Sequence, residues 1–125
     1  MPKRIMIIND DTATVTLMKR LLEEEGYSVI FQHEGSLAYP AIQHERPDLV
    51  LLDLRLTRPD EGWRVLEAMK LDRDTTHIPV VVCSADRQQL EASSLRLREL
   101  NCDILEKPFS LDHLLAKVRE RLAST

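Results

Sequence analysis

The sequence contains few of the residues that mark specialised protein classes. Its 125 residues include only 3 glycines and 6 prolines, and 43% are hydrophobic, which excludes collagen-like, mucin-like and disordered chains. No apolar run approaches the roughly 18 residues that span a bilayer, so we expect no membrane contact, no targeting segment and a cytoplasmic location. The net charge of -4 argues against direct nucleic-acid binding.

Cysteine is equally scarce. Cys83 and Cys102 are too few for a disulfide framework, and their spacing is not that of a metal site. We interpret both as small buried hydrophobic residues. A chain of this length buries roughly two-thirds of its surface on folding, so it needs neither a disulfide nor a structural metal for stability. The prediction is a single domain over residues 1–125.

Hydrophobic patterning predicts strands and helices in alternation. Predicted strands cover residues 3–8, 27–31, 49–52, 80–83 and 104–106, and predicted helices cover 13–25, 36–45, 63–71, 87–100 and the segment after 110. The third and fourth strands are apolar without alternation, which is typical of strands buried on both faces of a parallel sheet. Helical crossovers between parallel strands predict a flavodoxin-like, doubly wound α/β fold with five helices and strand order 2-1-3-4-5.

Local signals support these helices. Gly26 stands where a glycine ends a helix, and Pro40 is tolerated only near a first turn. Ser110 can cap the last helix, whose predicted buried stripe is Leu111, Leu114, Leu115, Val118 and Leu122.

Polar side chains follow four of the five predicted strands, and parallel strands bring such ends to one edge of the sheet. They are Asn9, Asp10, Asp11, Asp53, Ser84 and Lys107. Two carboxylates about 4 Å apart repel by roughly 4 kcal/mol at an effective dielectric near 20, which favours a divalent cation such as Mg²⁺. The ammonium of Lys107 and the hydroxyl of Ser84 can donate hydrogen bonds to phosphoryl oxygens. The set therefore predicts phosphate chemistry on a carboxylate.

Other polar and aromatic residues receive simpler interpretations. Asp11 is expected at a helix N-terminus rather than on a cation. The four histidines are placed away from this edge, on the surface or partly buried, with no catalytic or metal role. Trp63 is interpreted as a packing residue and Arg96 as part of a solvated helix face.

At these positions the chain resembles the receiver domain of two-component response regulators, in particular the single-domain, chemotaxis-regulator type. The matching segments are IINDD at 7–11, DLVLLD at 48–53, Gly62, IPVVVCSA at 78–85 and KPF at 107–109. Each segment alone is weak. Their order and intervals together make the resemblance specific, and it extends over essentially the whole chain.

The resemblance implies transfer of a phosphoryl group to Asp53 from the phosphohistidine of a histidine kinase, or from a small donor such as acetyl phosphate. It implies Mg²⁺ held by Asp10, Asp53 and the main-chain carbonyl of Arg55, with Asn9 acting through water. Ser84 and Lys107 would contact the phosphoryl oxygens, Ile104 occupies the switch position, and Pro108 is a candidate for a cis turn. Such a protein is no enzyme beyond its own phosphorylation and dephosphorylation.

Four positions depart from the family pattern. Asn9 stands where an acid is usual, and Ile104 stands where many members carry Tyr or Phe. Asn101 replaces a frequent glycine, and Thr57 replaces a common proline in a loop that is one residue longer than usual.

The implied partners are a sensor histidine kinase or phosphotransfer protein and an unknown downstream protein target, with a homodimer left open. Because the chain stops after the fifth helix, we expect a single-domain regulator or an excised receiver that signals by altered partner binding. Two alternatives stay open. One is a receiver-like interaction module that works without phosphorylation. The other, less favoured because a small domain lacks a substrate-enclosing cap, is a Mg²⁺-dependent phosphotransferase or hydrolase.

Overall fold

The computed structural model describes residues 2–56, 58 and 60–123, so the expectation about Thr57 lies outside the described residues. Strands and helices alternate along the chain. They are β1 (Arg4–Ile8), α1 (Thr12–Glu24), β2 (Ser28–Gln32), α2 (Gly35–Glu45), β3 (Leu49–Asp53), α3 (Glu61–Leu71), β4 (Val80–Ser84), α4 (Arg87–Glu99), β5 (Asp103–Glu106) and α5 (Leu111–Ala123). No helix in the described part of the chain is both long and apolar enough to cross a membrane.

The strands form one parallel sheet in the order β2-β1-β3-β4-β5. This confirms the predicted flavodoxin-like α/β fold and its strand order. The reversal of strand order lies between β1 and β3, and in sheets of this kind ligands bind outside the carboxyl ends of the strands near such a point.

The core consists of two apolar clusters, one on each face of the sheet, because successive side chains of a strand point to opposite faces. On one face the strands pack against α2, α3 and α4 through Met6, Ile8, Val50, Leu52, Val80 and Val82. On the other they pack against α1 and α5 through Ile5, Ile7, Leu49, Leu51, Val81 and Cys83. Every residue of β3 and β4 is buried, as their unbroken apolar runs predict. Each such leucine or valine contributes roughly 1.5–3 kcal/mol.

The ends of two helices agree with the sequence signals. Gly26, with φ of +93°, follows the last residues of α1 and accommodates the left-handed turn there. The Ser110 hydroxyl oxygen accepts the His113 N–H at 3.2 Å at the start of α5. Leu114, Leu115 and Val118 of α5 are buried.

Two details of the helices differ from expectation. Leu111 is 39% exposed, because it is the first residue of α5 and precedes by a turn the residues that pack on the sheet. Pro40 lies inside α2 rather than near its first turn, since the helix already begins at Gly35. The ring removes the N–H that would bond to the Ser36 carbonyl, so α2 has one helical hydrogen bond fewer.

Candidate functional site

The strand register brings the predicted polar residues to one edge of the sheet. Ile8 of β1 lies opposite Leu52 of β3, so Asn9 and Asp53 are the next residues on adjacent strands. Asp53 lies opposite Cys83, which immediately precedes Ser84. Ser84 in turn lies opposite Glu106, the residue before Lys107. Four neighbouring strands therefore end in these side chains at the same level of the sheet.

Asp53 has a partner on each carboxylate oxygen. The Lys107 ammonium lies 2.7 Å from Asp53 Oδ2, and the Arg55 N–H donates to Asp53 Oδ1 at 3.1 Å. The two charged side chains are only 11% and 26% exposed, which strengthens their attraction relative to a surface pair. The Lys107 N–H donates to the Ser84 carbonyl at 2.9 Å, and the Lys107–Pro108 peptide bond is cis.

Ser84 connects this pair to helix α4. Its side chain is 1% exposed, and its hydroxyl oxygen accepts the Asp86 N–H at 3.1 Å. Asp86 is the N-cap of α4, where its carboxylate accepts the Gln89 N–H at 3.0 Å. A change in the hydrogen bonds of Ser84 therefore acts on the first turn of α4.

A shallow cavity of about 340 Å³ opens beside Asp53. It is lined by Asp53, Arg55, Ser84, Ala85, Asp86 and Lys107. The structure thus gathers four of the predicted site residues around one space. Asn9 and Asp10 lie outside this lining.

Asn9 is buried, whereas Asp10 is exposed. The Asn9 side-chain oxygen accepts the Asp11 N–H at 2.8 Å, which shapes the turn between β1 and α1. Asp11 is the N-cap of α1 and accepts the Ala13 N–H at 3.2 Å, as its interpretation as a helix N-terminal residue predicts. A hydrogen bond from the Thr14 hydroxyl holds the pKa of the Asp11 carboxyl below its usual value, and the charge of Lys107 acts in the same direction.

The donors at this edge fit a hard cation. The predicted set consists of oxygen atoms only, from the carboxylates of Asp10 and Asp53, a main-chain carbonyl and an amide reached through water, which suits Mg²⁺ because this ion retains several of its waters. Among the described residues there is no group of three or more His, Cys, Asp or Glu side chains that could hold a metal by themselves. Cys83, although adjacent, belongs to the apolar cluster that packs against α1 and α5, and burial raises its pKa to about 12.

His33 is a neighbour of the site that the sequence analysis missed. Its Nδ1 lies 3.0 Å from the Asn9 carbonyl oxygen, so its placement away from this edge was wrong. The reason is the pairing of β2 with β1, in which Ile8 lies opposite Gln32 and position 33 follows beside Asn9. The other three histidines are exposed.

Ile104 lies outside the lining of the cavity beside Asp53. It is partly buried, pairs in register with Val82 and packs against the apolar cluster under α4. Trp63 also packs against this cluster, as predicted, and the Arg96 guanidinium lies 4.7 Å from its ring centroid. Because Arg96 also pairs with Glu67 at 3.0 Å, it links α4 to α3 and is more than a solvated residue.

Comparison with known proteins points to one family. The model of the response regulator receiver domain family matches residues 5–119. The polar-differentiation response regulator DivK of Brucella anthropi is 30% identical over 98% of both chains. The response regulator MprA of Mycolicibacterium vanbaalenii is 35% identical over the whole of this chain, which spans about half (52%) of that relative. A CheY-like receiver domain of Methanospirillum hungatei has a TM-score of 0.87 at 28% identity, covering 99% of this chain and 96% of its own.

Receiver domains are signalling modules rather than conventional enzymes. As a family they accept a phosphoryl group, bind Mg²⁺ in the active site and interact with histidine kinases and downstream targets. The match includes every strand and helix except Arg4 at the start of β1 and the last residues of α5. The chain belongs to the response regulator receiver domain family.

Proposed function

We propose that this chain accepts a phosphoryl group on Asp53 from the phosphohistidine of a sensor kinase or phosphotransfer protein, and signals by altered binding to a protein target. The observation that carries the proposal is the contact of Asp53 with Lys107 at 2.7 Å beside an open cavity. A carboxylate that is mostly buried yet borders an open space, with a cation already in place, is suited to receive a phosphoryl group.

In the transfer, a carboxylate oxygen of Asp53 attacks the phosphorus of the donor. The new P–O bond forms as the P–N bond of the phosphohistidine breaks, and the electron pair of that bond stays on the imidazole nitrogen. Lys107 is the ammonium nearest Asp53, so it interacts with the negative charge of the acyl phosphate. Ser84 lines the same cavity and presents its hydroxyl as a further donor.

The reaction is proposed to require Mg²⁺. Asp10, Asp53 and the main-chain carbonyl of Arg55 would hold it, with Asn9 acting through water. When bound, the ion supplies positive charge that offsets the carboxylates and the phosphoryl oxygens. The cavity is lined by two cations, Arg55 and Lys107, and by the carboxylates of Asp53 and Asp86. Asp10 adds a third carboxylate to the proposed set, so further positive charge favours the phosphorylated product.

The proposed readout passes from Ser84 to α4. A phosphoryl oxygen that accepts a hydrogen bond from the Ser84 hydroxyl would draw that hydroxyl toward it, and because the hydroxyl oxygen already accepts the N–H of Asp86, the N-cap of α4, the movement would reach this helix. Ile104 has neither a hydroxyl nor a ring, so its rotamer changes expose little apolar area. Partner binding therefore responds mainly to the segment from Ser84 to the start of α4.

The test is intact-mass spectrometry after treatment with acetyl phosphate and Mg²⁺. We expect one phosphoryl adduct on the wild type and none on Asp53→Asn. Asp60→Asn is the matched control, because Asp60 is an exposed residue whose carboxylate pairs with Arg64 instead of lining the cavity. An adduct that persists in Asp53→Asn would refute the assignment of the acceptor.

A second candidate is an interaction module that works without phosphorylation. Asn9 favours this candidate, because an uncharged amide stands where an acid is usual beside the proposed cation. The amide oxygen also already accepts the Asp11 N–H. This candidate predicts no adduct at millimolar Mg²⁺ from either acetyl phosphate or a phosphorylated kinase domain.

A further inference from the structure

A second cavity lies at the opposite end of the sheet from Asp53. Its volume is about 520 Å³, and it opens where β3, β4 and β5 begin and where α3 and α5 end. The charged or titratable side chains that line it are Arg46, Asp48, Lys70, His77 and Arg121. Three are cations and one is a carboxylate, so the lining carries an excess of positive charge.

Two carboxylates near this cavity pair with its arginines, and the third accepts a hydrogen bond from outside the lining. Asp48 accepts the Arg4 N–H at 2.8 Å. Asp74 pairs with Arg46 at 3.4 Å in an exposed contact. Asp103 accepts a hydrogen bond from the Lys117 ammonium at 2.9 Å, while Arg121 Nε is 3.8 Å away from it. None of these carboxylates contacts Lys70 within the described residues.

Lys70 is a partly buried cation that forms no ion pair with any described residue. Its one hydrogen bond in the described part of the chain is a long contact of 3.4 Å with the Thr76 carbonyl. Burial lowers the pKa of Lys70; the interaction with Cys102 opposes this shift, and the positive charge of Arg121 adds to it. Both cations line the same cavity, and Arg121 has Asp103 at 3.8 Å whereas Lys70 has no carboxylate partner among the described residues, so an anion in the cavity would offset the charge of Lys70.

Arg121 also keeps an unused donor. One of its terminal nitrogens donates to the Asn101 carbonyl at 2.8 Å. Its Nε is buried and has no hydrogen-bond acceptor among the described residues. A buried donor of this kind is unfavourable unless an acceptor reaches it.

Helix dipoles explain only part of this arrangement. Lys70 and Arg121 lie in the last turns of α3 and α5, where cations are favoured by the negative end of the helix. That attraction accounts for basic residues at these two positions. It supplies neither a counter-charge for Lys70 nor an acceptor for Arg121 Nε.

We propose that this basic cavity binds a small anion that carries phosphoryl groups, at a site separate from the phosphoacceptor Asp53. Arginine binds phosphoryl oxygens through a planar fork and lysine through a compact ammonium, and the cavity presents both with the His77 ring beside them. The volume falls within the range of small-molecule sites. A diphosphate group fits the lining better than a single carboxylate, because several cations face one space.

The test is a heteronuclear NMR titration of the full chain with pyrophosphate, inorganic phosphate and adenosine diphosphate, each compared with chloride at equal ionic strength. We expect saturable shifts at the amides of Thr76, His77, Ile78 and Asn101. Tighter binding of adenosine diphosphate than of pyrophosphate identifies a nucleotide, and the reverse order identifies an inorganic anion; both support the site. Shifts that match those in chloride, or that occur only around Asp53 and Ser84, would overturn it.

Charge-removing variants complete the test. Lys70→Gln should weaken pyrophosphate binding at least about fivefold, as expected for loss of one charge-assisted contact. Lys19→Gln, in α1 and outside the lining of this cavity, is the matched control and should bind as the wild type does. Without anion, Lys70→Gln should melt no lower than the wild type, since it removes a like-charge repulsion. Arg46→Gln, at an exposed position, is the second variant, and unchanged affinity in both variants contradicts the proposal.

Discussion

Lys107 Nζ lies 2.7 Å from Asp53 Oδ2, although 54 positions separate the two residues along the chain. The contact exists because β3 and β5 both pair with β4 and end at the same edge of the sheet. Sheet topology therefore brings an acid and a base together in a mostly buried place. The contribution of this ion pair to the free energy of unfolding can be measured directly.

Lys107→Met should lower the free energy of unfolding by about 1–3 kcal/mol near neutral pH, because it leaves the Asp53 carboxylate without its charged partner. In an Asp53→Asn background the same substitution should cost much less. Chemical denaturation of the four proteins of this double-mutant cycle measures the coupling. Lys19→Met, which removes an exposed pair with Glu23, is the control, with an expected effect below about 0.5 kcal/mol. Equal costs in both backgrounds would show that the pair contributes nothing to stability.

Gly62→Ala should destabilise the protein by about 1–3 kcal/mol and disturb the loop after Asp53. A Cβ at position 62 would lie 2.4 Å from the Leu54 carbonyl oxygen and 2.6 Å from the Leu54 Cα, and this backbone has little freedom to move. Gly35→Ala is the matched control, because the nearest atom there belongs to the flexible Glu61 carboxylate. Thermal melts of both variants decide the point. A larger loss for Gly35→Ala than for Gly62→Ala would contradict the backbone argument.

The stability of the protein at acidic pH should depend on Asp72, which connects the end of α3 to α2. Its Oδ2 accepts a hydrogen bond from the Tyr39 hydroxyl at 2.7 Å, which holds the pKa of Asp72 below its ordinary value of 3.8. Because the folded pKa is the lower one, the contribution is fully present above the unfolded pKa and is lost as the pH falls through the folded pKa. NMR titration of the Asp72 carboxyl carbon should show a higher midpoint in Tyr39→Phe, and an unchanged midpoint in a Tyr27→Phe control. A midpoint unaffected by Tyr39→Phe would show that the Tyr39 hydroxyl does not cause the lowered pKa of Asp72.

Much of the fold and most of the cavity at Asp53 are predictable from the sequence, because they follow from strong, repeated signals. The unbroken apolar runs of β3 and β4 identify central strands, and polar residues at strand ends then converge on one edge. That reasoning brings Asp53, Ser84 and Lys107 together without knowledge of any side-chain conformation.

The features that were missed depend on details that no pattern encodes. His33 contacts Asn9 through a main-chain carbonyl, and only the pairing of β2 beside β1 reveals it. The position of Pro40 inside α2 depends on where the helix begins, which packing decides as much as propensity. The contact of the Arg96 guanidinium with the Trp63 ring depends on how α4 lies against α3. In each case the deciding quantity is the placement of one element on another.

Asn9→Asp should tighten Mg²⁺ binding and lower the stability of the metal-free protein. Asn9 is 4% exposed and follows β1 at the level of Asp53, so a carboxylate there adds an anion to a place that already holds one. An aspartate still accepts the Asp11 N–H, so the turn geometry is kept while the charge changes. We expect a loss of about 1 kcal/mol in chelator, given screening at a solvent-open edge, and a gain in Mg²⁺ affinity from the added charge. Calorimetric Mg²⁺ titration and denaturation in chelator measure the two effects, with Asn101→Asp as a control that adds the same charge at the other end of the sheet and leaves Mg²⁺ affinity unchanged. If Asn9→Asp were more stable than the wild type in chelator and bound Mg²⁺ no more tightly, Asn9 would not lie beside the cation.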